Sequence, residues 1–231
     1  MECQKLSDKS ISRPYWFILK LINTFFTLNK NLKFIFLDSE FLTLSKSKST
    51  FVEVKKHQKE LFPEIFQFSF IKVYSIDNFN KNKKFNFYIK TKSKISYRLL
   101  KLTNYKPSVQ NIITPKLFLQ KIKLSFNENF IYIANGGDLK LLKLNIKFNH
   151  ISNIGKRLKY IDLRIFLKKI YGRDFNTALL KKKFLPNSKI RIHNSLNDSL
   201  ILLKVLDKIK KDMGKKYFIN LINKSLKTIN L

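Results

Sequence analysis

Forty-seven Lys and Arg stand against fifteen Asp and Glu in 231 residues, a formal net charge of +32. Like charge at that density repels itself and opposes a chain folding alone, unless a polyanion neutralises it. Hydrophobic residues nevertheless make up 44% of the sequence, which separates it from disordered polycations. The chain therefore reads as a folded body with a nucleic-acid partner. Fifteen acids leave few ligands for acid–base or metal chemistry, so composition favours a binding scaffold over an enzyme.

Residue choice adds a statement about the gene. Phe occurs 22 times and Gly and Pro five times each, while Lys, Asn, Ile, Leu and Phe fill most of the chain. These are largely residues of A+T-rich codons, as in organelle genomes. Cys3 is the single cysteine, so neither a disulfide framework nor a Cys-based zinc site is expected. Glu2 and Asp8 are acidic, and Arg13 is the only Arg in the first 97 residues, unlike an import signal. The expectation is a mitochondrial protein made inside the organelle.

The chain is read as an N-terminal extension, 1–134, with strands and a docking helix, and a C-terminal helical domain, 135–231. Residues 14–28 space Trp16, Phe17, Ile22, Phe25 and Phe26 as a docking helix. They are too polar to span a membrane, and no membrane partner is expected. Residues 34–42 suggest a short strand or a turn pair, and 44–60 a polar linker. Phe66, Phe68 and Phe70 alternate as a strand, and 85–89 can return as its hairpin partner across the basic insert 78–84. Alternation of Ile122, Leu124 and Phe126, then 130–133, then Leu142, Leu144, Ile146 and Phe148 suggests a small antiparallel meander. From 157 the period turns helical: 157–171 ending at Gly172, 176–183, a helix through Leu200, Leu203, Leu206 and Ile209, and a last one over 216–229. The expected class is α+β: a mixed extension with antiparallel strands, then an all-α unit.

The helical unit holds four of the six arginines. Arg binds phosphate through a planar fork where Lys acts as a point charge. Its stretch from Lys156 to Lys182, with Ile170-Tyr171-Gly172 closing a helix, resembles the opening of small-subunit ribosomal protein thirteen. Pro186 to Ile192, Leu196 to Leu200, Gly214 and Ser225 to Ile229 follow in that family's order. The family's basic tail is lacking after Leu231.

The resemblance implies a structural constituent of the head of a mitochondrial small ribosomal subunit. It would bind small-subunit rRNA and touch small-subunit protein nineteen and large-subunit protein five. The extension would dock onto organelle-specific ribosomal proteins. The implied RNA-binding residues are Lys156, Arg157, Arg164, Lys168, Lys169, Arg173, Lys181, Lys182, Lys183, Lys189, Arg191, Lys215 and Lys216. Tyr160, Tyr171, Phe175 and Tyr217 are candidates for stacking on bases. No cofactor is expected.

Two rival readings remain. One is a peripheral subunit of a membrane complex held through 14–28. The other is an organellar nucleic-acid enzyme, a homing endonuclease or maturase, which needs carboxylates to bind Mg²⁺. Asp38 and Glu40 are close in sequence, as are Glu60 and Glu64, but neither pair lies in a recognisable motif. Gly136-Gly137 lacks the Lys of a phosphate loop, and His57, His150 and His193 are scattered. On these residues the chain is expected not to be an enzyme.

Overall fold

Phe34 and Phe36 face one way from the first strand and Ile35 and Leu37 the other, and all four are fully buried. A strand buried on both faces must lie inside a sheet covered by helices on each side. The computed structural model has this arrangement, and it describes residues 32–42, 63–105, 111–149 and 154–231. The expected docking helix, Cys3, His57, His150 and nearly all of the expected linker lie outside the described residues.

Seven strands form one mixed sheet in the order β4-β3-β2-β1-β5-β6-β7. They are β1 (Lys33–Phe41), β2 (Ile65–Val73), β3 (Asn82–Ile89), β4 (Ile112–Ile113), β5 (Phe130–Ala134), β6 (Arg157–Asp162) and β7 (Lys227–Asn230). The helices are α1 (Tyr97–Thr103), α2 (Pro115–Ser125), α3 (Asp138–Phe148), α4 (Leu163–Tyr171), α5 (Thr177–Phe184), α6 (Ser195–Met213) and α7 (Lys215–Ser225). The β2–β3 hairpin pairs as its alternation suggests, with Phe68 opposite Phe87 and Phe70 opposite Phe85. β1 is antiparallel to β2 and parallel to β5, which is parallel to β6. The C-terminal ends of β1, β3, β5 and β6 therefore share one edge of the sheet.

Each face has its own core. Phe34, Phe36, Ile71 and Val73 pack with Leu202, Leu206 and Ile209 of α6 and Phe218 and Ile222 of α7. Ile35, Leu37, Phe68 and Phe70 pack with Phe118 and Ile122 of α2 and Leu139, Leu142 and Ile146 of α3. Phe70 stacks on Phe85 at 4.5 Å between ring centroids and meets Phe126 edge-on at 5.5 Å. The many phenylalanines thus fill two apolar layers.

This architecture corrects the expected class in its finer part. Strands and helices are both present, but the C-terminal half is not all-α: β6 and β7 belong to the sheet. Residues 157–162 are strand, and Asp162 then caps α4 by accepting from the Arg164 and Ile165 N–H groups at 3.0 and 3.4 Å. Gly172 ends α4 at a φ of 73°, as expected. The last helix stops at Ser225, and the following residues pair with β6 as β7. The expected antiparallel meander is instead α2, β5 and α3. Thr114 and Pro115 start α2 as N-cap and first-turn proline, while Leu124 is 87% exposed. In a Lys- and Leu-rich stretch both periods fit, and the caps decide.

Candidate active site

The even-numbered row of β1 runs Phe34, Phe36, Asp38, Glu40. Its apolar start lies under α6, and its last two members are carboxylates at the shared strand edge. Both are half-buried. The fold brings two more acids to them, one from each side.

Asp138 comes from the α3 side. Gly136, at a φ of +127° that L side chains rarely adopt, turns the chain from β5 into α3, whose first residue is Asp138. Its Oδ1 accepts from the Ser39 N–H at 3.0 Å and the Ser39 hydroxyl at 2.5 Å. Ser39 lies between the two acids of β1 and faces the other way, so it hooks Asp138 onto the strand end.

Asp198 comes from the α6 side. Asn194 caps α6, its side chain accepting from the Asn197 N–H. Ser195 and Ser199, one turn apart, are fully buried against β2. The Ser195 hydroxyl lies 2.6 Å from that of Ser69, and the Ser199 hydroxyl donates to the Ser69 carbonyl at 3.3 Å. Two small polar residues let the helix start approach the sheet, which sets Asp198 in its first turn beside Asp38 and Glu40. The ligand oxygens of Asp38, Glu40 and Asp198 lie within 4.8 Å of one another.

Burial raises all four carboxyls, and repulsion from cluster members raises Asp38, Glu40 and Asp198 further. Burial lifts Asp38 well above the usual range, followed by Asp138, Asp198 and Glu40. Glu40 is pushed up to about 8 by burial, then by Asp198 and Asp138. Asp198 rises to about 7, burial outweighing the hydrogen bond from the His193 N–H. Asp138 rises to about 6, burial outweighing the Ser39 bonds. Such a site holds protons at neutral pH unless a cation replaces them.

Asp198 tests that fit. Its Oδ2 accepts from the His193 N–H at 3.2 Å, while its buried Oδ1 has no hydrogen-bond partner. An orphan carboxylate oxygen inside an all-oxygen donor set suits a hard divalent cation such as Mg²⁺ or Mn²⁺. His193 is exposed, sits at a φ of 62°, and is the one histidine among the described residues. The only signals in the sequence were the i, i+2 pair at a strand end and His193 five residues before Asp198.

The thirteen expected RNA-binding residues scatter. Arg164 pairs with Asp174 at 3.9 Å, as does Lys168 at 3.5 Å. Arg173 lies 4.9 Å over Phe175 and Lys183 3.8 Å over Tyr171. Arg191 donates to the Lys101 carbonyl at 3.2 Å, two residues before His193. Lys156 is spent on the end of α2, donating to the Lys123 and Phe126 carbonyls. Lys215 pairs with Asp77. Arg157, Lys169, Lys182, Lys189 and Lys216 are exposed, and Lys181 is half-buried. Only Arg164, Arg173 and Arg191 flank the edge that carries the acids, through β6, the Phe175 carbonyl bound by Asn135 at 3.2 Å, and the His193 loop. Of the stacking candidates, Phe175 is fully buried and Tyr217 is 56% exposed.

No family model matches the sequence, and no curated protein matches it. Solved structures do. The chain is similar to a 3′-exonuclease in a structure of 3′-end specific recognition of a histone mRNA stem-loop, at 16% identity and a TM-score of 0.61. That match covers 86% of this chain and 71% of that one. The nuclease domain of 3′hExo, a DEDDh family member bound to rAMP, matches at 16% identity and TM-score 0.59, covering 78% and 92%. S. pombe Pop2p in its Mg²⁺- and Mn²⁺-bound form matches at 13% and 0.56, covering 91% and 93%. The chain spans 64% of the length of cell-death related nuclease 4, which it also resembles.

These likenesses overturn the ribosomal reading and its partners. The helix ending in Ile170-Tyr171-Gly172 exists, but it follows a strand of a nuclease-like sheet rather than opening a helical rRNA-binding unit. Nothing supports small-subunit rRNA, small-subunit protein nineteen, large-subunit protein five or organelle-specific ribosomal proteins as partners. The expectation that the chain is no enzyme is likewise reversed, since the acids set aside as a motif-less pair sit in a four-carboxylate cluster. The chain has the fold of these exonucleases.

Proposed function

We propose that the chain is a metal-dependent hydrolase of nucleic-acid phosphodiesters that removes nucleotides from a 3′ end. The observation that carries this is the convergence of Asp38, Glu40, Asp138 and Asp198 in a chain of net charge +32. Bringing four of fifteen acids into one buried cluster is costly and has no structural benefit on its own. In chain order these residues read Asp, Glu, Asp, Asp, with His193 beside the last. That matches the lettering of the DEDDh family to which the neighbouring 3′hExo belongs.

Asp38, Glu40, Asp138 and Asp198 would hold the divalent cation. Bound there, it would neutralise charge on the scissile phosphate and polarise an attacking water. Hydrolysis joins the water oxygen to phosphorus and breaks the bond to the 3′ oxygen of the preceding nucleotide. His193, exposed and tied to Asp198 through its backbone, is placed to take the proton of that water. Ser39 holds Asp138 in place, and the caps of α6 hold Asp198. Arg164, Arg173 and Arg191, expected from sequence to bind RNA, would grip the phosphates entering the edge.

The test is direct. With Mg²⁺ or Mn²⁺ the purified protein should shorten a 5′-labelled single strand stepwise and release nucleoside monophosphates. Asp38→Asn should abolish this with the circular dichroism spectrum unchanged. Cleavage that survives in Asp38→Asn, or without divalent ions, would overturn the reading.

A further inference from the structure

From Asn78 to Asn127 the chain contains no Asp or Glu. Within that stretch Lys90, Lys92, Lys94, Arg98 and Lys101 follow one another closely, and all five are exposed. β3 runs parallel to β1 with β2 between them, so Lys90 leaves the sheet at the edge that carries Glu40. Tyr88, two residues before Lys90, lies two strand spacings from Glu40, about 10 Å. α3 gives a second measure: it starts at Asp138 and ends at Phe148 beside Lys92, a rise of roughly 15 Å. Lys92 Nζ sits 4.4 Å from the Phe148 ring centroid.

A pocket of about 600 Å³ opens there, lined by Lys90, Thr91, Lys92, Thr114, Lys116 and Asn149 among others. Lys90 and Lys116 make no ion pair with the described residues. The nearest acid, Glu64, is occupied, its two oxygens accepting the Lys92 and Ser93 N–H groups at 2.6 and 3.1 Å. Three lysines thus line one pocket without an ion pair among the described residues. α1 packs through Leu99 on Leu42 and Phe66, just past Glu40, and its first residue, Tyr97, is 79% exposed. Arg191 binds the Lys101 carbonyl and so ties α1 to the loop bearing His193.

We infer that Lys90, Lys92 and Lys116 hold the backbone phosphates of a single strand a few nucleotides from the carboxylates, with Tyr97 as a stacking platform on the way. Alternating cations beside an exposed aromatic are the features that bind single strands without reading sequence. The inference rests on the hydrolase reading for where the strand ends, but the track binds a strand whether or not it is cut.

The experiment measures binding of a long, labelled single-stranded RNA to the full chain in EDTA, over a range of salt, and hydrolysis in Mg²⁺. The triple variant Lys90→Gln, Lys92→Gln, Lys116→Gln should bind at least tenfold more weakly. Its dependence of log K on log salt should flatten by about two, since each phosphate left without its lysine takes away roughly 0.7. Its KM for the long strand should rise while hydrolysis of a dinucleotide, too short to reach the pocket, stays unchanged and reports an intact fold. Tyr97→Ala should weaken binding several-fold without altering the salt slope. The control triple Lys81→Gln, Lys83→Gln, Lys84→Gln removes equal charge near the opposite edge and should bind as the parent does. Equal weakening by both triples, or tight binding of blunt duplex, would overturn the track. Should the first triple fail to fold, Lys116→Glu alone must weaken binding, and unchanged affinity there refutes the assignment. A parent protein that hydrolyses neither substrate while the first triple still loses binding refutes the hydrolase reading and leaves the track standing.

Discussion

Glu40→Gln should make the cation-free protein more stable, increasingly so as pH rises from about 4.5 to about 8. Glu40 titrates at about 8 in the fold against an ordinary 4.5. A group raised in this way leaves stability intact below its unfolded pKa and removes it as pH climbs through its folded pKa. At 1.36 kcal/mol per unit, full ionisation of Glu40 opposes folding by up to about 5 kcal/mol. Gln keeps the shape and never ionises. Near pH 4 parent and variant should melt together; near pH 9 the variant should melt higher, by up to roughly 10–20 °C at 2–4 °C per kcal/mol for a chain this long. Thermal melts in EDTA at both pH values measure the difference, which includes the relief of repulsion on Asp38. Equal melting temperatures at pH 9, or a less stable variant, would refute the argument that buried repulsion dominates the cluster.

Two further outcomes follow from the same geometry. Mg²⁺ or Mn²⁺ should raise the melting temperature of the parent by mass action, release protons, and bind more tightly as pH rises from 6 to 8; Asp198→Asn should lose most of this effect, as seen by calorimetry in two buffers of different ionisation heat. Phe70→Ala should lower stability by about 3–5 kcal/mol in chemical denaturation, because Phe70 is fully buried between Phe85 and Phe126.

Much of the sheet was legible where side chains alternate over several residues. Phe66, Phe68 and Phe70 read as a strand because each points into an apolar layer, and their hairpin partner followed. The helices α5 and α6 were legible from their period, although α6 starts a turn earlier than Asn197-Asp198-Ser199 suggest, capped by Asn194. Legibility failed at α2 and α3, where Leu and Lys recur so densely that alternation and helical spacing coexist. It failed again at β6, where Leu158, Ile161 and Ile165 mimic a helical stripe although Ile165 is 40% exposed. The acids were missed for a different reason. Asp38, Asp138 and Asp198 are separated by scores of residues, and only the crossing of β1 between β2 and β5 brings them together. The charge pointed to a nucleic-acid partner, and charge alone does not distinguish a partner from a substrate.

The Ser39–Asp138 hydrogen bonds join residues 99 apart in sequence, and Asp198 lies later still. During synthesis, therefore, Lys90 to Lys116 emerges long before the last carboxylate does. Under the proposed function a nascent chain would carry the lysine track before it could cut. Cutting would wait for α6 to dock onto the sheet and set Asp198 beside Asp38 and Glu40.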